Sequence, residues 1–157
     1  MYNTAIGYLQ NIEEAEEITQ DVFLSIYKKA DTFQGNSTVS TWIYRITVNK
    51  ALNQLEKRKK HYLSKNKIKD FHSVDFNHPG IQLENQEKSQ FLFAVINKLP
   101  ENQKTVFLLS YVEGLPRKEV ADIMKVTLKT VEGLLQRAKV KLRRELISIY
   151  PEGNSRK

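Results

Sequence analysis

Residues 61 to 86, HYLSKNKIKDFHSVDFNHPGIQLENQ, form the one long stretch without hydrophobic periodicity, and helical spacing of apolar residues fills the chain on both sides of it. Polar residues collect there around a Pro79-Gly80 turn signal. A chain of 157 residues, 40% hydrophobic, can bury one modest core or two small ones. The break in periodicity selects two. The expected fold is all-α, with a first helical domain over residues 1–62, a flexible linker over 63–86, a second helical domain over 87–150 and a tail over 151–157.

In the first half, EEAEEITQDVFLSIYKKADTF places apolar residues at Ala15, Ile18, Val22, Phe23, Ile26, Tyr27 and Ala30, with acids early and lysines late, as a helix dipole favours. A loop, QGNSTVST, follows Phe33, and its hydroxyls predict a helix that starts near Ser37 or Thr38 and runs to about Lys60. On that helix Tyr44, Val48, Ala51, Leu52 and Leu55 share one side, while Trp42, Asn49, Asn53 and Lys60 fall on roughly the other. In the second half a helix from about Glu87 stops before Pro100, and another runs from Glu101 to Val112. A short helix from Pro116 to Met124 and a longer one from Leu128 then flank a turn through Lys125 to Thr127.

Several function classes are excluded or disfavoured. Without cysteine there is no disulfide framework, thiol nucleophile or thiolate metal site, which fits a reducing compartment, and the cytoplasm is the default. No apolar run approaches the roughly 20 residues of a membrane span, and MYNTAIGYLQNIEEAEE has neither a basic leader nor an apolar signal core. His61, His72 and His78 lack a tight ligand spacing, so no metal is expected. Glu13, Glu14, Glu16 and Glu17 read as dipole-compensating acids, and no phosphate loop or credible nucleophile is present. Neither catalysis nor a cofactor is expected.

Charge is arranged in blocks. Residues 1–34 carry two cations against six acids, 35–70 nine against two, 71–115 three against five, and 116–157 eleven against five. Two basic blocks about 60 residues apart suit a polyanion touched at two places better than one solvated face does. The second block coincides with a helix-turn-helix pattern: Val120, Ala121, Ile123, Met124, Val126, Val131, Leu134 and Leu135 form its apolar set, and Thr127 can cap the second helix. Lys129, Thr130, Glu132, Gly133 and Gln136 then project from early turns that could enter a major groove, with Arg137, Lys139, Lys141, Arg143 and Arg144 placed for phosphates. An ordinary basic helical hairpin fits the same pattern. The first block interleaves Phe33, Trp42, Asn49 and Asn53 with Lys57 to Lys60, a mixture suited to single-stranded nucleic acid. From the residues alone, burial of Trp42 beside Ile43 and Ile46 is favoured over contact.

Taken together, the two halves resemble the extracytoplasmic-function (ECF) group of sigma factors of bacterial RNA polymerase. EEAEEITQDVFLSIYKKADTFQG is similar to the first family signature, STWIYRITVNKALNQLEKRKK to the second, with Trp42, Arg45, Ile46 and Asn49 at the family spacing, and LPENQKTVFLLSYVEGLPRKEVADIMKVTLKTVEGLLQRAKVKLRREL to the third. The resemblance implies a non-catalytic subunit that binds the clamp coiled coil of core RNA polymerase through Glu14, Glu17, Gln20 and Asp21. It implies capture of the melted minus-ten strand of promoter DNA by Phe33, Trp42, Arg45, Asn49, Asn53, Lys57 and Arg58. Reading of the minus-thirty-five element would fall to Lys118, Lys129, Thr130, Glu132, Gly133, Gln136, Arg137 and Lys141. An anti-sigma factor is the further partner implied, and no membrane insertion is.

The sequence departs from the family in places. The family begins with a further helix ahead of MYNTAIGYLQ, so the first domain is expected to lack one. Asn53 stands where Asp is frequent and Glu56 where Arg is; Glu132, Gly133 and Leu134 replace a commoner basic-Ser-Arg run, and Lys125 replaces the usual turn glycine. Two other readings stay open at this level. One is a self-sufficient helix-turn-helix regulator, and the other a sigma-like module that sequesters a regulator.

Overall fold

Helix α1 spans Tyr2–Leu9 and is buried almost all round, with Thr4, Ala5, Ile6, Gly7, Tyr8 and Leu9 all shielded from solvent. Gln10 ends it in the left-handed region at φ 51°, its N–H bonding to the Ile6 carbonyl at 2.9 Å. Asn11 then starts α2, Ile12–Lys29, by accepting the Glu14 N–H on its side-chain oxygen at 2.8 Å. The computed structural model describes residues 1–64 and 91–149. The expected linker from residue 65 onward, with His72 and His78, and the expected tail lie outside the described residues.

The long helix α3, Val39–Ser64, begins where its sequence predicts. Thr38 caps it, accepting the Thr41 N–H at 3.1 Å and donating its hydroxyl to Thr41 Oγ1 at 2.9 Å. The predicted stripe faces inward: Val48 and Ala51 are buried, and Tyr44, Leu52 and Leu55 pack against the core. On α2 the inward line is Ala15, Ile18 and Val22. Phe23 and Tyr27, expected on that apolar face, instead stand 56% and 86% exposed. They lie about 100° from Val22 and Ile26, and α2 has neighbours on only one side.

In the second half, residues 91–97 form α4, and α5 follows at Glu101–Phe107. Its last turn widens across Leu108–Val112, where the Glu113 N–H reaches back to the Leu108 carbonyl at 3.0 Å. Gly114, at φ 70°, turns the chain into α6, Arg117–Met124. Lys125 closes α6 at φ 55° in the left-handed region, the conformation that favours the glycine it replaces. Thr127 caps α7, Leu128–Ile149, by accepting the Thr130 N–H at 3.2 Å. All seven elements are helices, and no strand occurs among the described residues.

Helix α1 is the seam between the halves. Against it lies the widened turn, and a Cβ added at Gly7 would come within 2.5 Å of the Leu108 side chain. Tyr8 shares a hydrogen bond with the Thr105 hydroxyl, and Gln10 Nε2 donates to the Phe93 carbonyl at 2.7 Å. Glu113 accepts from the Thr4 N–H at 2.9 Å, the Thr4 hydroxyl at 2.6 Å and the Tyr44 hydroxyl at 2.8 Å. The buried side chains of both halves accordingly join in one core.

Candidate nucleic-acid interface

The first basic surface is built where α2 gives way to α3. A short 3-10 turn, Ala30–Thr32, ends in extended Phe33, whose N–H bonds to the Ala30 carbonyl at 3.1 Å. Gly35 then reverses the chain at φ 70°. This brings the Phe33 ring to 5.4 Å from the Trp42 ring, tilted by 50°. Both rings are half-buried, so Trp42 is neither a core residue nor a free one. With Asn36, Ser37 and Arg45 they line a cavity of about 160 Å³. An aromatic wall with amide and guanidinium donors at its rim can stack and hydrogen-bond an unpaired base.

Arg45 is not free to serve that cavity. Its Nε and Nη2 donate to one acceptor, the Asp122 carbonyl, at 3.1 and 2.5 Å. Asp122 lies in the last turn of α6, where its carbonyl takes the Lys125 N–H in a long capping bond of 3.4 Å and the negative end of the dipole attracts a cation. One turn along α3, exposed Asn49 opens onto a second cleft, of about 310 Å³, whose far wall includes Asn102, Met124 and Lys125. Asn53 and Lys57 are exposed beyond it. Arg58 is drawn inward instead, donating from Nη1 to the Leu9 carbonyl at 3.0 Å and to Glu14 at 3.1 Å.

The Glu14–Arg58 pair joins two residues expected at different sites. Glu17, Gln20 and Asp21 remain exposed on α2, with Lys50 3.4 Å from Asp21. Beside them stand Phe23, Leu24 and Tyr27, each more than half exposed. This apolar strip continues the acidic face and was missed as a surface feature. The signal for it was present in the 100° offset of Phe23 and Tyr27 from the buried line.

The second basic surface is open. Lys118, Lys129, Thr130, Glu132, Gln136 and Arg137 are exposed, and Gly133 lies among them with only the Arg137 guanidinium, 3.8 Å away, near where a Cβ would stand. Arg117 sits 3.5 Å from Glu132, an exposed pair that contributes little. Half-buried Lys141 lines a groove of about 340 Å³ with Gln136, Arg137 and Arg144.

Titration couples to the seam rather than to either surface. Burial alone would raise the Glu113 carboxyl, but hydrogen bonds from Thr4 and Tyr44 and the nearby amino terminus outweigh it and hold it below the ordinary 4.5. Burial and the Glu113 charge push the Tyr44 hydroxyl up. Lys104, 7% exposed with its ammonium on Asn97 and 5.9 Å from the Tyr8 ring centroid, is pushed down to about 8 by burial.

The model of sigma-70 region 2 matches residues 1–61 and that of sigma-70 region 4 matches residues 92–142, between them more than two thirds of the chain. The chain belongs to the sigma-70 family. Its similarity to the ECF RNA polymerase sigma factor SigW of Bacillus subtilis is 29% identity over 154 residues, 93% of this chain and 82% of that protein. Similarity to the ECF RNA polymerase sigma-E factor of Escherichia coli K12 is also 29%, over 134 residues, 80% of this chain and 70% of that protein. Among solved structures, this sigma factor is similar to RpoE bound to the anti-sigma factor NepR from Bartonella quintana, with TM-score 0.74 and 20% identity over 92% of this chain and 88% of that one. It is also similar to CnrH in complex with the cytosolic domain of CnrY, with TM-score 0.69 and 20% identity over 94% and 80%. The sequence and family matches make it an ECF sigma factor of RNA polymerase, a transcription initiation factor. No helix among the described residues is long and apolar enough to cross a membrane.

Proposed function

We propose that this sigma factor directs core RNA polymerase to promoters through two DNA surfaces and opens them by selection rather than by chemistry. Residues 1–62 bind the core enzyme and the melted minus-ten strand, residues 63–86 link the domains, and residues 87–150 read the minus-thirty-five element. The observation that carries this reading is the Phe33–Trp42 cavity with Arg45 at its rim and Asn49 one turn away. Bases trapped there offset a few kcal/mol of unstacking per base, which favours the melted state. Glu17, Gln20 and Asp21, extended by the exposed Phe23, Leu24 and Tyr27, meet the clamp coiled coil of core polymerase. Lys118, Lys129, Thr130, Glu132, Gly133 and Gln136 face the duplex groove, while Arg137 and Lys141 face phosphates. The protein works in the cytoplasm, under an anti-sigma factor; that RpoE was captured with NepR supports such a partner.

Run-off transcription from the gene's own upstream region, with core polymerase added, tests the proposal. Glu17→Lys is expected to weaken core binding, whereas Asn49→Ala spares core binding and impairs promoter opening, read by permanganate footprinting. The reverse pattern would refute the assignment of the two surfaces.

A further inference from the structure

We infer that Glu132 is a specificity-determining residue of the duplex-reading surface, and that the base it selects in the minus-thirty-five element is a cytosine. The inference rests on the proposed role of α7 in reading that element. Helix α7 holds six lysines and arginines against two glutamates, and the two acids are placed differently. Glu145, towards the far end, is drawn to Lys98 at 2.8 Å. Glu132 stands exposed in the second turn, between Lys129 and Gln136 on the same face of the helix.

That is a costly place for an acid on a face that meets duplex DNA, which carries a negative charge about every 1.7 Å of its axis. The fold does not call for it either. Arg117 on α6 is 3.5 Å from the Glu132 carboxylate, beyond the roughly 2.7–2.9 Å of a charge-assisted hydrogen bond, and both side chains are more than half exposed. The carboxylate oxygens are therefore left to accept from a ligand. Gly133 supplies the close approach. A glycine weakens a helix interior, and here it removes the side chain that would hold the α7 backbone off a groove wall, with only the Arg137 guanidinium, 3.8 Å away, near where a Cβ would stand. The long Glu132 side chain beside it can then touch base edges.

In the major groove a carboxylate finds one well-matched edge. Guanine shows two acceptors, thymine an acceptor and a methyl group, and the adenine amino group sits beside the N7 acceptor, whereas cytosine presents its N4 amino donor alone. Cytosine N4–H donates to the Glu132 carboxylate; each other base sets an acceptor against it.

Holoenzyme assembled from the full-length protein and core RNA polymerase tests this. It is offered the gene's own upstream region with the positions upstream of the minus-ten element randomised, and the templates it transcribes are sequenced. The parent should enrich cytosine about tenfold at one position. Glu132→Gln should lose that enrichment and favour adenine there, because an amide meets adenine N6 and N7 with an acceptor and a donor, while the other positions keep their preferences. Glu132→Ala should leave that position without a preference. A parent profile without such a cytosine would overturn the inference, as would a Glu132→Gln profile identical to the parent's. So would a loss of transcription shared by all templates, which would set Glu132 against a protein surface instead of a base. If the parent transcribes a defined set of templates and none of the shifts follows, the base assignment alone fails; if it transcribes none, the functional reading beneath fails and takes the inference with it.

Discussion

The two helices proposed to face DNA are held in opposite ways. On α7 the groove-facing residues Lys129, Thr130, Gln136 and Arg137 stand in solvent. On α3 the corresponding cation, Arg45, is tied to a backbone carbonyl of the other half, and Asn49 opens into a walled cleft. Intact duplex is always present in a cell, while unpaired bases are rare and cost unstacking to expose. The surface whose cation is tied is thus the one whose ligand must first be made. An α3 face left open would offer aromatic rings and cations to any single-stranded nucleic acid.

The helical glycines give the sharpest way to break this contrast. Gly7, in the seam, has room for nothing: a Cβ there meets Leu108 Cδ2 at 2.5 Å and Cδ1 at 2.9 Å, and Leu108 is fully buried. Gly7→Val should cost about 3 kcal/mol by overpacking. Most of that loss should return in Gly7→Val with Leu108→Ala, measured by urea unfolding. Gly133, on the open face of α7, meets nothing closer than 3.8 Å. There Gly133→Ala should stabilise by up to about 1 kcal/mol through helix propensity alone. Equal effects at the two positions would mean that the seam is not packed as described.

Lys104 tests the seam through pH. Its ammonium is buried against α1, and its pKa falls from 10.5 to about 8. In the unfolded chain the group keeps its proton up to 10.5, so between 8 and 10.5 the unfolded state binds more protons and stability rises with pH. Below 8 the full cost of burying the charge is present. Lys104→Met removes the charge and should be more stable at pH 7 by about 2 kcal/mol. The gap between parent and variant should narrow as pH rises from 8 towards 10, and a constant gap would show that the ammonium is not what burial penalises. Glu113 has the opposite place in the pH scale. Its lowered pKa contributes stability above 4.5 that is lost as pH falls through the folded value.

The helices and their starts were legible because local chemistry writes them. The acids of α2, Thr38 before α3 and Thr127 before α7 act within one turn, and periodicity marks the Val48–Ala51 and Ala15–Ile18–Val22 lines. The seam was not legible. Helix α1 is buried almost all round, with Asn3 exposed near its start, so Tyr2–Leu9 has too narrow a polar face to set a period. Glu113 reads as one acid before a glycine, and its partners lie 69 to 112 residues away. Arg45 bonds to a backbone oxygen, which every residue carries and no motif can announce. For the same reason the sequence does not announce that Arg58, expected at the minus-ten strand, also bonds to the Leu9 carbonyl and to Glu14.

The smallest effect separates the two helix starts. Thr38 and Thr127 make the same capping bond to the N–H three residues on, at 3.1 and 3.2 Å. Each also shares a hydroxyl bond with a second threonine, Thr41 at 2.9 Å and Thr130 at 2.8 Å. The difference is what water can replace. Thr130 is exposed, so Thr127→Ala should cost only the cap, about 0.5–1 kcal/mol. Thr41 is 1% exposed, so Thr38→Ala strands a buried hydroxyl as well and should cost about 1.5–2 kcal/mol. Adding Thr41→Val to Thr38→Ala should recover that excess, since no buried oxygen is then left without a partner; Thr130→Val added to Thr127→Ala should recover none. If the two cap variants cost the same and neither is rescued, the Thr41 hydroxyl is as solvated as that of Thr130, and its burial would have to be abandoned.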